Sequence, residues 1–258
     1  MSIDADHFDL SSLKALVLGA DTPGGAAIAR AYTEAGADVT KLVSDREARS
    51  CGARSGIDDR GAACTQMAAD LTEPARASEA VGEAVGAMGG LDIFVGCPDL
   101  FLARPVAETT GADLNHVMTT NFGVQFAAVR AAADNMRSFG RGGKLLLLTH
   151  LLGERGLPNT VAYAAAHAAT QSLVRTLALE LGREGITVNG IALGWMNWMT
   201  DRIRPDDEPA SRAVRFTIFK RAGRPEDVGP MAVWLAGSGA GFVTGQVFHL
   251  DGGLTLHI

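Results

Sequence analysis

The sequence has few cysteines, and their arrangement argues against two kinds of site. Only three of the 258 residues are cysteine, Cys51, Cys64 and Cys97, and no two of them form a CxxC pair. An odd number without paired spacing is not typical of a disulfide framework or of a zinc or redox centre. We therefore expect free thiols in a reducing compartment, and we predict a cytoplasmic protein.

The sequence also lacks an excess of positive charge. Its 23 lysines and arginines are outnumbered by 29 aspartates and glutamates, which gives a net charge of −6. Binding to nucleic acids and to anionic lipids depends on clustered lysine and arginine. The sequence therefore predicts neither a nucleic-acid nor a membrane partner, and it favours small molecules or proteins.

No apolar run is long enough to cross a bilayer, and the first residues contain no apolar signal region. The most apolar stretch covers only residues 145–152, whereas a membrane helix needs about 20 apolar residues. Hydrophobic residues make up 47% of the chain and charged residues 20%. This composition and length are typical of a single compact domain, which we place at residues 1–258.

The sequence does contain a regular alternation of short apolar runs with longer helical patterns. Such an alternation is typical of βαβ units, and it predicts an α/β fold of the Rossmann type, with a doubly wound seven-stranded parallel sheet flanked by helices. In the segment Arg49–Gly61 three glycines predict an irregular connection. The seven predicted strands are Ala15–Leu18, Val39–Val43, Thr65–Ala68, Leu91–Val95, Lys144–Leu148, Thr187–Ile191 and Gln246–Leu250.

Three stretches carry a resemblance to a known family. They are residues 153–166, which include Tyr163, residues 186–192, and residues 223–228 followed by 243–253. From about Leu13 to the end the chain resembles the classical short-chain dehydrogenase/reductase family. The resemblance implies an NAD(P)-binding domain preceded by an extension at residues 1–12, and a substrate-side lid at about residues 195–215.

The resemblance implies that a coenzyme, NAD or NADP, is held mainly by Gly19, Thr22, Gly25 and Asp70. Two of the family's cofactor motifs have changed, however. Proline stands at position 23, where the family has the glycine that lets the backbone approach the diphosphate, and Gly96-Cys97-Pro98-Asp99 replaces the family's Asn-Asn-Ala-Gly. Proline lacks an N–H, and a carboxylate repels phosphate, so we predict that coenzyme binding is weak or lost.

Alternatives remain open for the same residues. The surviving glycines equally fit a role in shaping a tight turn, and Asp70 equally fits a role as a helix cap. Asp45 and Arg46, after the second strand, leave the choice between NAD and NADP undecided.

The resemblance also implies a catalytic group at Asn121, His150, Tyr163 and His167, where the family has asparagine, serine, tyrosine and lysine. In the family, the lysine ammonium lowers the pKa of the tyrosine and holds the nicotinamide ribose, and the serine orients the substrate carbonyl. A histidine is mostly neutral at pH 7, which would leave the tyrosine near its usual pKa of about 10 and make it a poor base. We therefore expect the chain's own dehydrogenase activity to be weak or absent.

Other interpretations of this region are weaker or undecided. Two histidines and a phenol without a carboxylate are a thin ligand set, so we predict no metal. Trp198 occupies the position of the family's nicotinamide-contacting threonine, and large apolar side chains there either line a pocket for a small hydrophobic ligand or fill the nicotinamide space. We prefer the second interpretation.

Three functional hypotheses follow. The first is a degenerate, non-catalytic subunit that forms a homo- or hetero-oligomer, in the latter case with a catalytically competent paralogue. The assembly would use the long helices containing Asn121 and Tyr163 and the carboxyl-terminal strand region. The second is an active NAD(P)-dependent oxidoreductase acting on a hydrophobic alcohol or ketone, in which His167 is protonated. The third is a coenzyme-independent dehydratase, isomerase or cyclase that uses His150, Tyr163 and His167.

Overall fold

A single twisted sheet forms the centre of the molecule. The computed structural model describes residues 5–44, 56–57, 63–202 and 213–256. The sheet has the strand order β3-β4-β2-β1-β5-β6-β7-β8. The strands are β1 Lys14–Leu18, β2 Asp38–Ser44, β3 Gly56–Ile57, β4 Ala63–Ala69, β5 Ile93–Gly96, β6 Gly143–His150, β7 Ile186–Leu193 and β8 Val247–Leu250.

The predicted parallel sheet is confirmed, with one addition. Seven strands pair in parallel. The two-residue strand β3 pairs antiparallel with the start of β4 at the sheet edge. The sequence gives no sign of this strand, because a two-residue run is too short for any hydrophobic period. The remainder of Arg49–Gly61, like Asp45 and Arg46, lies outside the described residues.

Helices cover both faces of the sheet. On one face α1 packs against α6, and on the other α2 packs against α4, with α5 beside β7. Strand side chains alternate between the two cores, as in β1, where Val17 belongs to the first and Leu16 and Leu18 to the second. Among the described residues, no helix combines the length and apolarity needed to cross a membrane. The helices are α1 Pro23–Glu34, α2 Pro74–Met88, α3 Gly111–Met118, α4 Val124–Phe139, α5 Val161–Leu181 and α6 Pro225–Ala236.

The strand order reverses between β1 and β5, which fixes the place of the functional cleft. From β1 the chain moves to β2 on one side, and it returns to β5 on the other. In open α/β sheets a crevice forms at this point, beyond the carboxyl ends of the strands. Gly19 follows β1 with φ +74°, and a Cβ atom there would lie 2.7 Å from the Cys97 carbonyl oxygen after β5. Only glycine lets the two strand ends approach so closely.

Candidate active site

The crevice contains a cleft that is almost filled by side chains. It lies between the amino-terminus of α1, the segment after β5, the end of β6, and α5. The volume open to the centre of a water molecule is only about 20 Å³. Such a space accommodates about one water molecule. The lining side chains include Leu148, His150, Tyr163, His167, Met196, Trp198 and Met199.

Tyr163 is bonded to a carboxylate. Its hydroxyl donates to Asp99 Oδ1 at 2.9 Å, and Phe101 packs edge-on against its ring with 5.0 Å between ring centroids. Asp99 belongs to the segment that replaces the family's Asn-Asn-Ala-Gly. A negative charge on the Tyr163 oxygen would therefore be repelled by the neighbouring carboxylate, which opposes formation of a phenolate base.

His167 lies one helical turn after Tyr163 on α5, with 4.2 Å between the ring centroids. The side chain is buried, and Nδ1 lies 3.2 Å from Thr149 Oγ1. Burial lowers the pKa of His167 to about 4, although the charge of Asp99 acts in the opposite direction. The imidazole is therefore neutral at pH 7 and does not replace the family's lysine cation. This is contrary to the protonated His167 that the second hypothesis requires.

His150 is held at both ring nitrogens. Nδ1 accepts a hydrogen bond from the Leu152 backbone N–H at 3.1 Å, and Nε2 lies 3.3 Å from the Met199 sulfur. Because Nδ1 acts as an acceptor, Nε2 carries the proton and points it at a thioether. His150 therefore uses both nitrogens within the protein, whereas the family's serine directs its hydroxyl to the substrate.

Asn121 is placed by an irregular turn in a long helix. The π-helical segment Thr119–Gly123 separates α3 from α4, and such turns are frequent at functional positions. The side chain is buried, Nδ2 donates to the Leu100 carbonyl at 2.9 Å, and Oδ1 accepts from the Leu100 N–H at 2.6 Å. Asn121 therefore anchors the segment after β5 to the helix pair and is not turned toward a ligand.

The phosphate-binding end of the cleft offers few donors. Helix α1 begins with Pro23, which has no N–H, and Thr22 caps the helix through its side chain. Thr22 Oγ1 accepts from Gly25 N at 3.1 Å, and the Thr22 carbonyl accepts from Ala26 N at 2.8 Å. Among the described residues at the start of α1, Gly24 keeps a backbone N–H that is available to a ligand. The Leu148 side chain lies against Gly24.

Asp70 lies beyond β4 and is exposed. Its Oδ1 accepts from the backbone N–H of Thr72 at 2.9 Å and from the Thr72 hydroxyl at 2.6 Å. These two hydrogen bonds hold the pKa of Asp70 below its usual value. The N-cap of α2 is Glu73, so Asp70 shapes the turn that precedes the helix and is not itself the cap that the sequence suggested as an alternative.

A second carboxylate at this end of the cleft belongs to Asp21, whose contact no sequence pattern indicates. Asp21 Oδ2 accepts from the Ser44 hydroxyl at 2.7 Å, which joins the turn after β1 to the end of β2. In this fold the adenosine ribose lies near the ends of these two strands. The carboxylate of Asp21 therefore adds a negative charge to this end of the crevice.

The predicted lid is packed where the structure describes it. Trp195, Met196 and Met199 are buried, and Trp198 is half-buried against the cleft. Gly223 holds the segment by accepting from Asn197 N and donating to the Trp195 carbonyl, both at 2.8 Å. Residues 203–212 lie outside the described residues. The described part therefore borders the cleft with large apolar side chains, and the interpretation of Trp198 stays a prediction.

Three of the four predicted catalytic side chains lie together in the cleft, whereas Asn121 bonds the Leu100 backbone. His150, Tyr163 and His167 lie with 4.2 to 5.9 Å between ring centroids. No sequence pattern indicates the Thr149 contact, and the sequence indicates Asp99 only as a change in the cofactor motif. Within the described part of the chain, no group of three or more histidine, cysteine, aspartate or glutamate side chains is placed to hold a metal ion.

Comparison with known proteins establishes the family. Residues 23–255 match the profile of the family adh_short_C2, described as Enoyl-(Acyl carrier protein) reductase. The chain is 30% identical to gluconate 5-dehydrogenase of Gluconobacter oxydans, with 98% of each chain covered. The chain belongs to the short-chain dehydrogenase/reductase family.

One further relative and one solved structure are named for different substrates. The chain is 31% identical to 3beta-hydroxysteroid dehydrogenase 1 of Eggerthella lenta, with 96% of each chain covered. The crystal structure of a gluconate 5-dehydrogenase from Burkholderia cenocepacia, in complex with NADP and tartrate, superposes with a TM-score of 0.87 at 28% identity. That alignment covers 98% of this chain and 99% of the other.

The residues present do not fit a coenzyme in the family's manner. In the family, the nicotinamide ribose lies beside the residue that His167 replaces. Here the large apolar side chains of Leu148, Met196 and Met199 border that space, and a nicotinamide ring could enter only if they moved aside. The diphosphate would meet Pro23, and Asp99 adds a carboxylate to the same cleft.

Proposed function

We propose that this chain is a non-catalytic subunit of a short-chain dehydrogenase/reductase assembly. The observation that carries the proposal is the hydrogen bond of 2.9 Å from Tyr163 to Asp99, beside a buried His167 whose pKa lies at about 4. A tyrosine base needs a neighbouring positive charge, and here it has a carboxylate and a neutral ring. The chain has the fold of the family, but the surroundings of Tyr163 disfavour proton transfer at its hydroxyl.

The same proposal includes weak or absent binding of NAD and NADP. Its support is the single N–H left for a ligand at the start of α1 and the large apolar side chains that border the cleft. For any residual affinity, Asp21 favours NAD over NADP, because its carboxylate would repel a 2′-phosphate.

Exposed apolar side chains on the surface support the proposal that the chain assembles with other subunits. Apolar side chains are exposed on the two long helices, with Phe126 on α4 at 41% and Leu179 on α5 at 86%, and Phe242 before β8 is fully exposed. Exposed aromatic and aliphatic groups on neighbouring helices are typical of an interface. We propose that these surfaces bind a second copy or a competent paralogue in the cytoplasm.

Calorimetric titration with NADH and NADPH at physiological salt tests the proposal. We expect no measurable heat of binding below millimolar coenzyme. A micromolar dissociation constant for either coenzyme corresponds to about 8 kcal/mol, and such an affinity would overturn the proposal. A stopped-assay panel of hydroxy acids, sugars and hydrophobic ketones, with each coenzyme, checks turnover in parallel.

The second candidate is an active NAD(P)-dependent oxidoreductase, and the comparisons favour it. The relatives named above are dehydrogenases, and the Burkholderia cenocepacia structure contains NADP. On this alternative, coenzyme binding would open the cleft by displacing Met196, Trp198 and Met199. Coenzyme-dependent turnover by the unmodified chain, lost in Tyr163→Phe, is the result that would establish it.

A further inference from the structure

His167, which lines the cleft, has a buried ring nitrogen without a hydrogen-bond partner in the described part of the chain. His167 is 4% exposed, and its Nε2 atom has no hydrogen-bond partner among the described residues. Leaving a buried polar atom unpaired is costly in a folded protein, so such atoms commonly mark a bound water molecule or a ligand. His167 is one of the residues that line the cleft, so a small group in the cleft is the candidate partner of this atom.

The contacts of Thr149 determine which ring nitrogen carries the proton. Thr149 Oγ1 lies 3.2 Å from His167 Nδ1 and also 3.2 Å from the His167 backbone oxygen. The hydroxyl has one proton to donate, and a carbonyl oxygen only accepts. Both contacts are hydrogen bonds at once only if the hydroxyl donates to the carbonyl and Nδ1–H donates to the hydroxyl.

The other tautomer satisfies fewer contacts. If Nε2 carried the proton, Nδ1 and the backbone oxygen would compete for the single hydroxyl proton, and a buried N–H would be left unpaired. The low pKa of His167 keeps the ring neutral at pH 7, so a doubly protonated ring does not arise. The geometry therefore favours a bare Nε2 that acts as a hydrogen-bond acceptor.

We propose that Thr149 fixes His167 in the Nδ1–H tautomer, and that the bare Nε2 binds one hydroxyl group in the cleft, either of water or of an alcohol. The cleft leaves about 20 Å³ open to the centre of a water molecule, which is enough for one hydroxyl group. A ketone of similar size offers no donor and gains nothing from Nε2. Thr149 is thus a positioning residue, and the proposal does not depend on whether the chain binds a coenzyme.

The experiment is histidine side-chain ¹H–¹⁵N correlation spectroscopy on the labelled full-length protein at pH 7. A bare ring nitrogen resonates well downfield of a protonated one, so the spectrum reports the tautomer directly. We expect a protonated Nδ1 and a bare Nε2 for His167. Removing the hydroxyl in Thr149→Val should shift the tautomer toward Nε2–H, and Thr149→Ser should restore the original spectrum.

Ligand selectivity is measured with 2-propanol and acetone as probes of nearly equal size. We expect the His167 Nε2 resonance to respond to 2-propanol roughly three- to tenfold more strongly than to acetone, as one hydrogen bond allows. Thr170→Val is the matched control, because Thr170 is buried on the same helix and bonds the Ala166 carbonyl. His116, exposed on α3, reports unspecific effects of solvent.

A protonated Nε2 in the unmodified chain would overturn the proposal, and this measurement needs no variant to fold. An equal response to acetone and 2-propanol would overturn the hydroxyl site. The same tautomer change in Thr170→Val would show that the effect is not specific to Thr149. Coenzyme binding in a separate titration would contradict the proposed function without affecting the tautomer.

Discussion

At the scale of single residues, His167 is the most informative replacement. The family's lysine is a permanent cation, whereas this imidazole is buried and neutral. The loss of charge is predictable from the ordinary pKa of histidine alone. Its cause in the folded protein, burial between Tyr163 and Thr149, is not predictable from the sequence, because burial depends on the packing of α5 against β6.

The low pKa of His167 predicts how stability depends on pH. The unfolded chain takes up this proton near pH 6.5 and the folded chain only near pH 4, so acidification between these values favours unfolding. For this group alone, we expect the free energy of unfolding to fall by about 3 kcal/mol between pH 7 and pH 4. Urea denaturation across this range, compared with His167→Gln, measures the contribution. Parallel pH profiles for the two proteins would contradict it.

At the scale of elements, the start of α1 shows how a replacement can suit the fold while harming a ligand site. Pro23 occupies the first turn, where a missing N–H costs the helix nothing and the fixed φ is favourable. From the sequence alone, the proline indicates only that a bound phosphate loses a backbone N–H donor. The helix position explains why the chain tolerates proline there.

The variant Pro23→Gly should therefore have two opposite effects. We expect the free energy of unfolding to decrease by about 0.5 to 1 kcal/mol, because glycine gives the unfolded chain more freedom. We also expect coenzyme affinity to rise, since a second N–H faces the cleft. Denaturation and calorimetry measure the two effects. Pro74→Gly, at the equivalent place in α2, is the control and should lose stability without gaining affinity.

The elements themselves were largely predictable, and their interactions were not. The short apolar runs between the helical patterns are sufficient to predict the seven parallel strands, because a strand buried on both faces is a continuous hydrophobic segment. The hydrogen bond between Tyr163 and Asp99 joins residues 64 positions apart. No local pattern encodes such a contact, since it arises only when the end of β5 and the first turns of α5 meet.

At the scale of the whole molecule, the exposed faces of α4 and α5 predict self-association. Phe126 stacks on Phe122 with 6.2 Å between ring centroids and remains 41% exposed. We expect light scattering to show a dimer or a larger assembly. The double variant Phe126→Gln with Leu179→Gln should raise the Kd of self-association at least tenfold. Val106→Gln, an exposed residue outside both helices, is the control. A monodisperse monomer for the unmodified chain would contradict the assembly.

Restoring the family's residues tests whether the site is a decayed dehydrogenase site. The restored set combines four substitutions. Pro23→Gly returns a backbone donor, and Asp99→Gly removes the carboxylate bonded to Tyr163. His150→Ser removes the contact with Met199, and His167→Lys places a fixed cation beside the phenol. A cation favours the phenolate, and removal of Asp99 ends the opposing repulsion. We expect coenzyme binding and measurable reduction of a carbonyl substrate, with the set lacking His167→Lys as the comparison.

The opposite experiment tests whether the histidines were recruited for coenzyme-free acid and base chemistry. If they were, His150→Ala or His167→Ala alone should abolish a native turnover measured without coenzyme, whereas His116→Ala should not. Because burial holds the pKa of His167 at about 4, an activity that needs its neutral form should be constant from pH 8 to pH 5 and fall only below that. Turnover without coenzyme that survives both alanine variants would refute the histidine mechanism. Turnover by the unmodified chain that requires NADH would instead refute the non-catalytic subunit.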